Sequence, residues 1–204
     1  MTLLYWLNSH DLCPENGLCV TLGTDGIDPR TSQLMSISYA SIEDEPVTLY
    51  VKQPTTEANA TKVEPFTDVS QKEYLQKAIY FNEALEILKP ILEETEFIIS
   101  YAEKSFYRPW VEQVLTPLVE IPMLDLPNIF KLKDRNGVIR QDLESIEQLN
   151  ESILNQTEFM KEGYSIPSLS ERYLGYPYID GLSKLEGKPK QLQLLFGLSL
   201  QLIL

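Results

Sequence analysis

Three short apolar runs open the pattern. Leu18 to Leu22 is rich in strand-forming residues and stops at Gly23. Gln33 to Ala40 alternates in part, and Pro46 to Val51 puts Val47, Leu49 and Val51 on one side of an extended chain. Glu43-Asp44-Glu45-Pro46 carries turn chemistry between the last two. Strands this close in sequence predict an antiparallel meander. After a polar stretch, Gln53 to Thr61, the period changes. Ser70 with Glu73 has capping-box spacing, and Phe81, Ala84, Leu85, Leu88 and Ile91 recur at helical intervals.

Phe97 to Tyr101 predicts a short buried strand. Trp110, Val111, Val114, Leu115 and Leu118 predict a helix opened by Pro109, and Ile121 to Leu126 a fifth strand. Ser168 to Leu174 predicts a short helix after Ile166-Pro167, with Ser168 or Ser170 as its cap. Gln191 to Leu204 carries two patterns. Leu192, Leu194, Phe196, Leu198, Leu200, Leu202 and Leu204 alternate as in a strand, while Leu192, Leu195, Phe196, Ser199, Leu202 and Ile203 form a helical stripe. Length favours the helix, and Gly197 opposes it by about 1 kcal/mol. The order of elements is that of an α/β sandwich. Nothing divides residues 1–204, so a single domain is expected, with 1–15 as an N-terminal extension.

Composition narrows the function classes. The chain has 204 residues, 43% apolar and 23% charged, enough for a core without staples. It has no run of about 18 apolar residues, so no membrane span is expected. Met1 to Leu7 is apolar but short and lacks a basic lead, so no signal peptide is read there. Cys13 and Cys19 lack metal spacing and suit a reduced cytoplasmic setting. On that basis the sequons at Asn59, Asn150 and Asn155 are read as chance matches. Net charge is −13, which disfavours nucleic acid and favours solubility or a basic protein partner. The basic groups Lys131-Leu132-Lys133-Asp134-Arg135 and Lys184, Lys188, Lys190 are loose and read as solvated surface. The only histidine, His10, precedes the first strand and reads as a surface residue.

The local motifs add a resemblance. Thr21-Leu22-Gly23-Thr24-Asp25-Gly26-Ile27-Asp28-Pro29 is similar to a strand ending Asp-x-Glu-Thr-x-Gly-Leu-Asp-Pro, with Thr24, Gly26, Asp28 and Pro29 matching. Phe66 to Ser70 and Phe81-Asn82-Glu83-Ala84 follow in the expected order. So do Ile99-Ser100-Tyr101-Ala102, Ser105-Phe106-Tyr107 and Leu124-Asp125-Leu126, and the helix end Ser168 to Gly175. Together they resemble the DEDD-type 3′–5′ exonucleases, the DnaQ-like proofreading branch of the ribonuclease H-like fold. The resemblance implies an α/β fold with a five-stranded mixed sheet, three antiparallel strands then two parallel, flanked by helices.

The same resemblance implies four carboxylates holding two divalent metals, one activating water and the other steadying the leaving oxygen. The family's ligand positions fall here on Thr21, Gly23, Tyr107 and, through Ser183 to Lys188, on Lys188. None of these is a carboxylate, so no catalytic residue and no metal are expected. Asp125 matches a family acid outside the ligand set. Tyr176 and Asp180 have the Tyr-x-x-x-Asp spacing of the family's tyrosine branch, but in a Gly-Tyr-Pro-Tyr loop.

Three functions follow. The first is a catalytically degenerate exonuclease-like module that binds a protein, associates with itself or serves as a structural part. The second is an active exonuclease using Mg²⁺ or Mn²⁺ on displaced ligands Asp25, Asp28, Asp180 and Glu186. The third is a metal-free binder of single-stranded nucleic acid, with bases stacked on Tyr101, Tyr107 and Trp110.

Overall fold

Period-two burial on both faces builds the central sheet. In the computed structural model, β1 (Gly17–Thr24), β2 (Leu34–Ser41) and β3 (Val47–Tyr50) form the antiparallel meander. β4 (Phe97–Ser100) pairs parallel with β1, and β5 (Met123–Asp125) parallel with β4. The strand order is β3-β2-β1-β4-β5. The structure describes residues 1–52, 63, 67, 69–101, 106–157 and 163–202, and the backbone but not the side chain of Lys184. Outside the described residues lie the whole Gln53 to Thr61 stretch with its sequon, Phe66, Asp68, Ala102, Ser105, Ile203 and Leu204.

Alternate residues of the sheet feed two cores. Leu18, Val20, Leu22, Ile37 and Ile98 face α3 (Phe81–Glu93) and α4 (Arg108–Gln113). Cys19, Phe97, Ile99 and Leu124 face the opposite layer. That layer holds α1 (Leu3–Ser9), α5 (Leu126–Asp134), α6 (Ile146–Thr157), α7 (Ile166–Leu174) and α8 (Lys184–Ser199). α2 (Gln71–Lys77) packs Tyr74 into a small third cluster with Met35 and Tyr50.

Several sequence expectations need correcting in detail. Within residues 1–15, Leu3, Trp6 and Leu7 of α1 are wholly buried in the main core. Ser70 caps α2 by accepting the Glu73 N–H, but the Glu73 carboxylate pairs with Lys77 instead of closing a capping box. The helix around Trp110 stops at Gln113 and resumes as a tight turn at Thr116–Leu118, because Pro117 has no N–H to continue the ladder. α7 starts two residues earlier than its predicted cap. Ser165, not Ser168 or Ser170, accepts the Ser168 N–H, and Pro167 sits in the first turn where a missing N–H costs nothing. Gly175 ends α7 at φ 87°, a left-handed position that favours glycine.

The last segment is a helix, and it begins at Lys184. Ser183 accepts the Glu186 N–H while the Glu186 carboxylate accepts the Ser183 N–H, a complete capping box. Leu192, Leu195 and Phe196 are buried and Leu194 is exposed. That is the helical stripe; strict alternation would have buried Leu194.

Candidate functional site

The site sits where the sheet splits. β1 and β4 are paired only from Gly17↔Phe97 to Cys19↔Ile99. β1 then runs on to Thr24 with β2 as its one strand partner. Past Cys19, the edge of β1 that faced β4 has polar backbone groups and no strand to take them. Buried groups of this kind need partners. Tyr107, at the start of α4, supplies both. Its hydroxyl accepts the Leu22 N–H at 3.0 Å and donates to the Val20 carbonyl at 2.8 Å. The ring is buried, and that burial pushes the phenol pKa far above its ordinary value, with the Leu22 N–H pulling back in part. Tyr107 is therefore a neutral bridge that closes the split.

Beside this bridge is a cleft of about 410 Å³. The ends of β1 and β4 form one wall through Thr24 and Tyr101, and Phe106 stands next to Tyr107. The first turn of α7 forms another wall with Ile166 and Pro167, and Lys188 projects from α8. A smaller hollow of about 180 Å³ adjoins it, sharing Pro167 and Lys188 and extending to Tyr178 and Leu182. Sequence reasoning missed the α7 contribution, because Ser165 to Pro167 read only as the start of a helix.

The four positions aligned with metal ligands do come to this cleft: Thr21, Gly23, Tyr107 and Lys188 all line it. As donors they offer a buried hydroxyl, no side chain, a phenol committed to the backbone, and an ammonium. Hard divalent metals take carboxylate and carbonyl oxygens, so the metals implied by the resemblance do not fit these side chains. At Gly23 the space is already used. A Cβ there would collide with Ser36 Oγ, on the cross-strand partner residue. Ser36 is fully buried and its hydroxyl has no hydrogen-bond partner among the described residues.

Three of the four displaced-ligand candidates are engaged locally. Asp25 Oδ1 accepts the Gln33 N–H at 2.6 Å, closing the β1–β2 loop. Asp28 holds Arg30 through both carboxylate oxygens at 3.0 and 2.8 Å, and Arg30 lowers its pKa to about 2. Glu186 is the capping carboxylate of α8. Asp180 is exposed in the loop before α8 with Tyr176, and neither is on a helix. Among the described residues, no three acidic, histidine or cysteine side chains are placed to hold a metal ion.

The stacking candidates divide. Tyr101 is half-buried and lines the cleft, its pKa raised by burial and by Asp125. Tyr107 and Trp110 are 3% and 1% exposed, packed in the core under α4, so their ring faces cannot receive a base. His10 is half-buried and stacked on Trp6, with one ring nitrogen 2.8 Å from the Trp6 carbonyl and the other 2.6 Å from that of Leu143. It is a tie between α1 and a distant loop rather than a plain surface residue. Asn150 is buried and its amide bonds β5 at Met123 and Asp125, which removes it as a glycan acceptor in the folded chain. Gln193 was also missed. Its amide reaches from α8 to the Ser41, Ile42 and Asp44 carbonyls at 2.7, 2.6 and 3.1 Å and fixes the β2–β3 turn.

No family model matches the chain, and no curated protein matches it in sequence. Solved structures do. Cell-death related nuclease 4 superposes with a TM-score of 0.55 at 15% identity, over 91% of this chain and 63% of that one. The structure of SSB/exonuclease I with an inhibitor superposes with a TM-score of 0.53 at 13% identity, over 89% of this chain and 43% of that one. The chain thus spans less than two thirds of either nuclease. With its three antiparallel and two parallel strands between helical layers, it has the ribonuclease H-like fold of these nucleases.

Proposed function

We propose that this chain is an exonuclease-fold module that does not carry out metal-dependent hydrolysis and works by binding a protein. The observation that carries the reading is Tyr107. It lies where the family resemblance calls for a metal-binding aspartate, and its hydroxyl is spent on the Leu22 N–H and the Val20 carbonyl. A neutral phenol committed in this way is a poor ligand for a hard divalent metal. The filled space at Gly23 and the ammonium of Lys188 agree with it. Water activation by two metals needs a set of oxygen ligands, and each lost ligand removes orders of magnitude of rate.

The test is release of nucleotides from a labelled single-stranded oligonucleotide, with Mg²⁺ or Mn²⁺ and rigorously nuclease-free protein. No release above the metal-free control is expected. Release that disappears in a Glu186→Gln variant would instead establish the displaced-ligand enzyme. The net charge of −13 argues against the nucleic-acid binder. So does the burial of two of its three stacking rings. A salt-sensitive oligonucleotide affinity would reverse that judgement.

A further inference from the structure

We propose that His10 is a pH-operated latch: its ring ties the N-terminal helix α1 to the loop before α6 only while both ring nitrogens carry protons. This stands apart from the protein-binding reading above. The argument begins with the two ends of the ring. Nδ1 lies 2.8 Å from the Trp6 carbonyl, and Nε2 lies 2.6 Å from the Leu143 carbonyl. A carbonyl oxygen only accepts, and a neutral imidazole has a single N–H. Either neutral tautomer therefore sets a nitrogen lone pair against a carbonyl oxygen at one of those two distances. The imidazolium donates at both ends. Ser9 does not remove the conflict. Its hydroxyl lies 2.8 Å from the Trp6 carbonyl and 3.1 Å from Nδ1, and its one proton serves only one of them. The close approach of Nδ1 to the Trp6 carbonyl remains.

Two further features favour the positive ring. His10 is the C-cap of α1, the end of a helix where carbonyls lack partners and a cation is stabilised. The ring also stacks on Trp6 with centroids 4.2 Å apart and planes 27° apart, and an indole face attracts a cation. Carboxylates have no part in it. α1 itself carries no Asp, Glu, Lys or Arg, and its one titratable side chain, Tyr5, is exposed. Asp11 follows the ring in sequence, and Asp142 and Glu144 flank Leu143; all three are exposed, and Asp142 is held by Arg140. Among the described residues, none of them pairs with the ring. The sign of the coupling follows. In the unfolded chain an imidazole takes its second proton near the ordinary value of about 6.5. A folded state that needs that proton is favoured in full below this value and loses the advantage as pH rises above it. Leu3, Trp6 and Leu7 stay anchored in the core, so opening the latch loosens α1 without unfolding the domain.

The test uses the whole chain, whose only histidine gives one pair of ring-nitrogen NMR signals. At about pH 7, both nitrogens of the folded, ¹⁵N-labelled protein should show the shifts of protonated nitrogen. In urea at the same pH the ring should be mostly neutral. A folded sample with one unprotonated ring nitrogen overturns the proposal, and this needs no variant. The second measurement is stability in urea. The advantage of the wild type over His10→Gln should be about tenfold larger in the folding constant at about pH 5.5 than at about pH 8.5. An equal advantage at both also overturns the proposal, since a merely structural bond would give that result. The third locates the effect. Amide exchange in α1, taken relative to β1 so that the intrinsic pH dependence cancels, should rise from about pH 6 to about pH 8 in the wild type and stay level in His10→Gln. A ratio that stays level in the wild type shows that α1 is not what the proton holds. If His10→Gln fails to fold, the wild-type ring signals decide alone.

Discussion

Replacing Tyr107 with Phe removes one oxygen and leaves two buried backbone groups without partners. The Leu22 N–H and the Val20 carbonyl lie on the edge of β1 that β4 no longer covers, so no strand can take over. An orphaned buried donor or acceptor costs roughly 1–3 kcal/mol. Leu22 borders the cleft, and a water entering there would recover part of the loss. The expected destabilisation is about 2–4 kcal/mol, a large share of the roughly 5–15 kcal/mol available to a domain. Apolar packing hardly changes, since the ring stays among Val20, Leu22 and Trp110. Urea denaturation read by tryptophan fluorescence measures the difference directly. A loss under about 0.5 kcal/mol, within the range of an ordinary surface substitution, would refute the bridge.

The same bridge has a pH signature. Burial holds the Tyr107 phenol protonated well beyond its ordinary value of about 10. In the unfolded chain it ionises near that value. Its contribution is thus whole below about pH 10 and declines above it by about 1.4 kcal/mol per pH unit, because only the unfolded state releases the proton. Tyr107→Phe lacks this term. The stability gap between wild type and variant should narrow steadily as pH rises past 10. The other tyrosines cancel in the comparison. A gap that stays constant through that range would show that the phenol is not buried in the way described.

Four further substitutions probe the surroundings. Ser36→Ala should be neutral or stabilising in thermal melts, because the lost hydroxyl is buried without a partner. Gly23→Ala should cost about 1–3 kcal/mol alone and less in a Ser36→Ala background, since the colliding Oγ is then gone; strict additivity would refute the contact. Gln193→Leu should destabilise by about 1–2 kcal/mol and speed amide exchange through the β2–β3 turn, whose carbonyls it gathers. Asp134 accepts from Tyr164, Arg172 and Tyr173, and burial followed by Asp134 raises the Tyr173 pKa to about 12. Asp134→Asn should move two tyrosinate transitions, those of Tyr164 and Tyr173, down in absorbance titration without restoring the ordinary value, because the burial remains.

The sheet was legible because its strands bury both faces. Leu18, Val20 and Leu22 serve one core and Cys19 the other, so a continuous apolar run and its β-branched content sufficed. α6 was not legible. Its stripe of Ile146, Leu149 and Ile153 is interrupted by Asn150, whose amide is needed by β5. α1 was obscured in another way: Leu3, Trp6 and Leu7 look like a mere apolar start until the core that receives them is known. The four positions aligned with the family's ligands, Thr21, Gly23, Tyr107 and Lys188, line one cleft. The role of Tyr107 was out of reach, because its bonds to β1 span 85 and 87 residues and depend on where β4 stops. Tyr107 and Trp110 were misjudged as stacking platforms for the same reason: an aromatic at the start of a helix reads alike whether it faces solvent or a sheet.

The residues at the ligand-like positions are also tied to their neighbours. A side chain at position 23 must displace the buried Ser36 Oγ. An aspartate at position 107 would be too short to bridge the Leu22 N–H and the Val20 carbonyl, and as an anion it would face that carbonyl without a proton to give. Introducing carboxylates singly at these positions should therefore lower stability before it produces any metal site, and each needs a second change to be tolerated. Mutually dependent side chains of this kind are what a stable packed arrangement requires. The cleft is then best understood through the groups that occupy it: a neutral phenol closing the sheet, a filled space at Gly23, and the lysine Lys188 on its wall.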